Sequence, residues 1–249
     1  MIDASVSTWE ELREAWKGGR AAVLAFGAQE EHGPHCPLAT DTVMAAGLAL
    51  RLAEALDAVL LPPVPYGETW STSGYPGTIS LSPDTVRRIL LDIGGSVREQ
   101  GATALVVVNG HFGNRAPLEL ACRELVSTRG LPALVVDYPG LEEVAREVCT
   151  SRPAAPGFYH ADEVETSIML ALAPAQVHMD RAVAEYPVFP PTFGAEPLRL
   201  HTFCASGVFG DPRAADAGKG RHMLEALAER SLVLVREFLR GAAGQGKGG

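Results

Sequence analysis

Little in this chain would tie it to a membrane, to nucleic acid or to an oxidising compartment. Only 4 of its 249 residues are cysteine. Cys36, Cys122, Cys149 and Cys204 stand far apart with no CxxC pair, which argues against a zinc ribbon or a disulfide scaffold. No apolar run nears the roughly 20 residues that a membrane helix needs. The opening segment, MIDASVSTWEELREAW, is amphipathic and partly acidic, without the basic and apolar regions of a secretory signal, so a cytoplasmic protein is the expectation. Net charge is -9 and the lysines and arginines are scattered. That removes the basic stripe that nucleic acid or an anionic membrane surface demands, and leaves a neutral or weakly charged small molecule as the partner. No GxSxG elbow, P-loop or GxGxxG fingerprint is present, so serine-hydrolase and dinucleotide chemistry have no support.

What is present is apolar sequence in short runs. Hydrophobic residues make up 47% of the chain, enough for one sizeable α/β domain over residues 1–240, followed by a flexible tail, GAAGQGKGG, at 241–249. Apolar runs at 21–26, 58–61, 104–108 and 133–136 alternate with segments of helical period, which predicts βα units around a mostly parallel sheet covered on both faces. Helices are expected at 42–56, from an N-cap at Ser82 with Pro83 first to about 100, at 114–125 capped by Asn114, at 160–172 and at 214–239. The proline-dense stretch PVFPPTFGAEP, 187–197, reads as an irregular loop.

In such sheets ligands gather where strands end and helices begin, and three segments place chemistry there. In GAQEEHGPHCPLATDT, 27–42, Glu30 and His32 are two apart and share one side of an extended segment. Asp41 returns across a loop stiffened by Pro34 and Pro37, although a lone aspartate at a helix start can be merely a cap. In VVVNGHFGNR, 106–115, His111 stands between a buried strand and a helix. In FYHADEVETSIML, 158–170, His160 sits in the first turn and Glu165 one turn further, with Glu163 pointing elsewhere. A single histidine at a strand end is more often a hydrogen-bonding residue than a ligand. Convergence of several carboxylates and imidazoles from independent stretches is what points to a site. Such a set without thiolate suits zinc or manganese, and a carboxylate shared by two ions is common in two-metal hydrolases. Glu31 and His35 are expected outside the ligand set, and Cys36, between His35 and Pro37, reads as a packing residue.

These segments resemble the creatininase (creatinine amidohydrolase) family. G-A-Q-E-E-H-G-P-H-C-P-L-A-T-D is similar to the family's G-S-x-E-Q-H-G-P-H-L-P-L-x-T-D, NGHFGN to its N-G-H-x-x-N, and HADEVETS to its H-A-x-x-x-E-T-S. YPGTISLS, 75–82, and SGVFGDPRAADAGKGR, 206–221, resemble further landmarks, so five motifs in order span most of the chain. The resemblance implies a three-layer α/β/α fold and a centre of two divalent ions, zinc and/or manganese with iron as a further option. It also implies hydrolysis of a cyclic amide, formamide or related C–N bond of a small molecule by a metal-activated water, in a homohexamer. By the same resemblance Glu30, His32, Asp41 and His111 match ligands, with Asp41 bridging. His160 matches a proton shuttle that Glu163 or Glu165 would orient, and Trp70, Ser71, Thr72 and Phe112 fall where substrate is contacted.

One departure matters. Creatininase proper carries a glutamate ligand two residues after the NGH histidine, in N-G-H-Y-E-N, where this chain has Phe112 and Gly113. Glu165 is the expected replacement, as in an N-G-H-G-G-N branch that includes formamidopyrimidine deformylases, an inosose ring hydrolase and a peptidase of the mycofactocin precursor. The competing expectations are therefore a peptidase of that last type and, in another class, a metal-binding scaffold without catalysis.

Overall fold

The apolar runs become strands that the fold covers on both faces. The computed structural model describes residues 1–245. Five parallel strands form one sheet in the order β1-β3-β2-β4-β5. They are β1 (Ile2–Asp3), β2 (Ala22–Phe26), β3 (Val59–Leu60), β4 (Leu105–Asn109) and β5 (Ala133–Val136). Central β2 and β4 are buried at every position.

Alternation along these strands divides the core in two. Leu24, Phe26, Leu105 and Val107 face Trp16 of α1 (Trp9–Lys17), Val86 and Leu90 of α3 (Pro83–Gln100), and Leu118 and Leu125 of α4 (Arg115–Arg129). Val23, Ala25, Val106 and Val108 face Leu48 and Leu52 of α2 (Thr40–Leu56) and Leu224 and Val235 of α7 (Ala217–Gln245). Met44, Val144, Ile168 and Met223 tie α2 and α7 to α5 (Leu141–Val148) and α6 (Glu163–Leu172). The result is the expected three-layer α/β/α sandwich, here with every strand pair parallel.

The differences from expectation have local causes. β1 is two residues long, too short to announce itself by pattern, and α5 was not foreseen. Ser82 accepts from the Thr85 amide and Pro83 opens α3, as its sequence predicts. Asn114 does not cap α4. Its side chain instead accepts from the Glu68 amide at 2.9 Å and donates to the Gly27 carbonyl at 3.0 Å, tying three segments together. α6 starts at Glu163 rather than 160, because Asp162 is its cap and accepts from the Val164 and Glu165 amides. Residues 212–214 form a short 3-10 turn, after which α7 runs to Gln245, so the tail expected from 241 begins as helix, and 246–249 lie outside the described residues. The 187–197 stretch carries no helix or strand. Among the described residues no helix is long and apolar enough to cross a membrane, and all four cysteines are free.

Candidate metal centre

The carboxyl ends of β2, β4 and β5 lie along one edge of the sheet, and the three chemical segments leave from or return to that edge. Past β2 come Glu30, Glu31 and His32; the first turn of α2 carries Asp41; past β4 comes His111; the first turn of α6 carries Glu165. Glu30, His32 and Asp41 are almost entirely buried.

Asp41 stands in the middle, one oxygen to each side. Its Oδ2 lies 3.2 Å from His111 Nδ1, which is also 2.7 Å from Glu30 Oε2. Its Oδ1 lies 3.1 Å from His32 Nε2, which is also 3.5 Å from Glu165 Oε2. Glu30–Asp41–His111 and His32–Asp41–Glu165 each bring their donor atoms within 4.8 Å of one another, as does an overlapping Glu30–His32–His160 group. Glu30 Oε2, His32 Nε2 and Asp41 Oδ2 are buried without a hydrogen-bond partner. Leaving such an atom unsatisfied costs about 1–3 kcal/mol. Three of them converging within one cluster fit a centre that cations complete, and the oxygen and imidazole set suits zinc or manganese.

The surrounding bonds fix how these donors point. His111 Nε2 donates to the Glu68 carbonyl at 2.7 Å and His32 Nδ1 lies 3.2 Å from the Glu30 carbonyl, leaving His111 Nδ1 and His32 Nε2 to face the two triads. Thr72 donates its hydroxyl to Glu30 Oε1, and the Ala161 amide donates to Glu165 Oε2 at 2.7 Å. Ala161 makes that bond from a left-handed backbone, φ 51°, a strained conformation for a residue with a Cβ. Burial disfavours charge on His32 and His111, yet the facing carboxylates, Asp41 for His32 and Glu30 for His111, hold both well above the ordinary histidine value. Burial pushes Asp41 up, but the two imidazoles keep it below the usual carboxylate range, whereas burial raises Glu165.

His160 lies beside the second triad, its ring centroid 4.5 Å from that of His32. Its Nε2 is 2.9 Å from Glu31 Oε1, and Glu31 Oε2 in turn accepts from the Gly33 amide at 3.0 Å. Burial opposes the imidazolium, but the Glu31 carboxylate raises His160 to about 9. Glu31 is therefore its partner. The expectation that Glu163 orients His160 is corrected: Glu163 is buried on the other side of α6, held by the Thr150 and Ser151 amides and by Lys219.

A cavity of about 390 Å³ opens over the triads and is lined by Glu30, Asp41, His111, His160 and Glu165. Ser71 and Phe112 of the expected substrate contacts also line it. Trp70 and Thr72 do not: Trp70 is exposed with the Arg199 guanidinium 5.6 Å above its ring, and the buried Thr72 hydroxyl is committed to Glu30. His35 is buried with Nε2 2.8 Å from Thr166 Oγ1, and burial lowers it to about 4. Burial likewise pushes the Cys36 thiol up to about 11, which suits packing rather than ligation. The lining also includes residues that the sequence pattern did not single out, among them Glu68, Asp137, Tyr138 and Glu196. Tyr138 follows β5 with φ 44°, and its buried hydroxyl lacks a partner; its place just past a strand's carboxyl end was the available signal.

Gly113 stands against this centre with no room for a side chain. A Cβ there would overlap the Glu68 carbonyl oxygen and lie 2.8 Å from His111 Nε2. The glutamate of N-G-H-Y-E-N therefore has no place on this backbone.

Comparison with known proteins agrees with this geometry. Residues 5–235 match the creatinine amidohydrolase (creatininase) family. The chain is 30% identical to the creatinine amidohydrolase of Pseudomonas putida, over 92% of this chain and 94% of that one. It is 29% identical to the mycofactocin precursor peptide peptidase of Mycobacterium ulcerans, over 97% and 94%. A manganese form of creatininase superposes with a TM-score of 0.78 at 28% identity, covering 95% of this chain and 98% of that one, and a Zn-Zn form of a creatininase variant gives 0.77. With a match along nearly its whole length and the motif residues gathered at one edge of the sheet, the chain belongs to the creatininase family.

Proposed function

We propose that this chain is a two-metal amidohydrolase that opens a C–N bond of a small amide, formamide or cyclic amide. The observation that carries the reading is Asp41, whose two oxygens face two separate groups of buried donors. Glu30 and His111 would complete one ion's site, and His32 and Glu165 the other. Divalent zinc or manganese there would polarise the substrate carbonyl and lower the pKa of water from 15.7 to about 7.

The chain's own residues do the rest. Asp41, Glu30 and Glu165 would offset the ions' positive charge at the carboxyl edge of the sheet. His160, kept charged by Glu31 at Nε2, is placed to give a proton to the leaving nitrogen and to regain one from the attacking water. Glu163 steadies the start of α6 rather than the proton's path.

The cavity volume, about 390 Å³, favours a small substrate over a peptide lying in an open groove, although a peptidase is among the relatives. A scaffold without catalysis would have no use for the buried Glu31–His160 pair. The reading also includes a cytoplasmic location and a homohexamer; light scattering of the purified protein tests the subunit number. For the chemistry, elemental analysis should find two ions per chain, and Asp41→Ala should lose both along with hydrolysis across a panel of lactams, formamides and short peptides. Unchanged metal content in that variant would refute the bridge; a fully loaded protein that cleaves nothing in the panel would refute the amidohydrolase.

A further inference from the structure

Past β5 the backbone takes a costly turn. Tyr138 precedes Pro139, a position that favours extended backbone, yet it takes the left-handed region with φ 44°. A bulky residue stays there only where its surroundings fix it, and such residues collect at functional sites. The surroundings do fix it. Asp137, just before, is held by Asn109 Nδ2 at 3.3 Å and by the Arg115 guanidinium. The Tyr138 carbonyl accepts from the Leu141 amide at 3.1 Å, which leads the turn into α5.

What this turn delivers to the site is a hydroxyl. Tyr138 lines the cavity with Asp41, His160 and Glu165, its side chain packed against the two apolar clusters that share α2. The phenolic oxygen is buried, and among the described residues nothing bonds to it. The carboxylates of Asp41, Glu165 and Asp137 are the charges that bear on it, yet none accepts its proton. Each is committed elsewhere. Asp41 faces His32 and His111, Glu165 Oε2 accepts from the Ala161 amide, and Asp137 is bound to Asn109 and Arg115. A buried phenol without an acceptor is costly, and at neutral pH it is a donor, so the partner that suits it is an acceptor from outside the chain.

We propose that Tyr138 is a further catalytic residue, whose hydroxyl donates a hydrogen bond to the carbonyl oxygen of the substrate amide beside the His32–Asp41–Glu165 group. The proposal rests on the hydrolase reading for the amide, but the donor itself can be tested without it. Tyr138 keeps its proton throughout, and no covalent bond to it forms or breaks. Its hydrogen bond strengthens as the carbonyl oxygen takes up negative charge on addition of water, which is where a fixed donor lowers a barrier. The division of labour is simple: His160 serves the leaving nitrogen and Tyr138 the oxygen, both from the lining of one cavity.

Tyr138→Phe removes one oxygen that bonds to nothing in the protein, so the variant should fold with an unchanged or higher Tm and bind the same amount of zinc. Zinc-loaded wild type and variant would be titrated calorimetrically with acetohydroxamate, which presents an amide-type oxygen to a metal centre. Both would also be assayed on any lactam, formamide or short peptide that wild type cleaves. The variant should bind acetohydroxamate about tenfold or more weakly and lose about 10²–10³-fold in kcat with KM little changed. Equal affinity in the two proteins, no binding to wild type, or an undiminished kcat overturns the proposal. So does lost zinc or a lowered Tm, because the hydroxyl would then support a ligand or the fold. If the variant binds the probe more weakly and loaded wild type cleaves no amide, the donor stands and the hydrolase reading falls.

Discussion

In the proposed centre Glu165 stands in for the carboxylate that Gly113 does not supply. Glu165→Ala is expected to leave one ion per chain and to lower turnover by more than the roughly 10–100-fold that losing a ligand's hydrogen-bond partner costs. Adding Gly113→Glu should not rescue it, because the new Cβ would overlap the Glu68 carbonyl; elemental analysis and rates of the double variant check this, and a regained second ion would mean that the backbone yields. Glu31 offers a second test. Glu31→Gln keeps an acceptor for His160 and should cost about tenfold in kcat, Glu31→Ala about 10²–10⁴, with KM and metal content little changed. Glu30, His32, Asp41 and His111 were legible because each follows a strand or opens a helix at the same edge. Glu163 was misread as a partner of His160, although it and Glu165 lie two apart on a helix and so face roughly 200° away from each other. The Glu31–His160 bond spans 129 positions and no local pattern announces it.

At the scale of elements, the catalytic edge depends on loops from distant parts of the chain packing on one another. Gly207, in the SGVFGDPR loop, lies against the Glu31 carboxylate with φ 75°. Gly207→Ala would overlap that carboxylate and require a left-handed backbone of a residue with a Cβ, at about 1–2 kcal/mol for the backbone alone. The expected outcome is a lowered Tm and a drop in kcat with two ions retained, measured by calorimetry, kinetics and elemental analysis. Retained kcat would show that Glu31 does not need this wall. The strands and the Ser82–Pro83 start of α3 could be read from apolar runs and cap chemistry. The start of α6 could not, because HADEVETS offers both His160 and Asp162 as beginnings, and the Asp162 cap together with a local bond from the Ala161 amide to the Glu165 carboxylate settles the later one. Asn114 had the chemistry of a cap, but two distant backbone groups, Glu68 N–H and Gly27 C=O, claimed its side chain.

For the whole molecule, metal binding and protonation are linked through the same two imidazoles. In metal-free protein the carboxylates around His32 and His111 outweigh burial and raise both rings well above the ordinary histidine value, which favours their charged form. An ion can use His32 Nε2 and His111 Nδ1 only after those protons leave. Loading should therefore release protons, and apparent metal affinity should rise with pH until the solution passes the raised values, above which protons no longer compete. Calorimetric titration with zinc or manganese in two buffers of different ionisation enthalpy reads the proton count directly; a heat independent of the buffer would contradict the ligand set. The donors come from the β2–α2 loop, from past β4 and from α6, so each ion's set would exist only in the folded chain and binding would add to its stability by mass action, about 2.7 kcal/mol at a hundredfold excess over Kd. Chelation should then lower Tm in wild type, and by much less in Asp41→Ala, because Asp41 is the residue that both donor groups share.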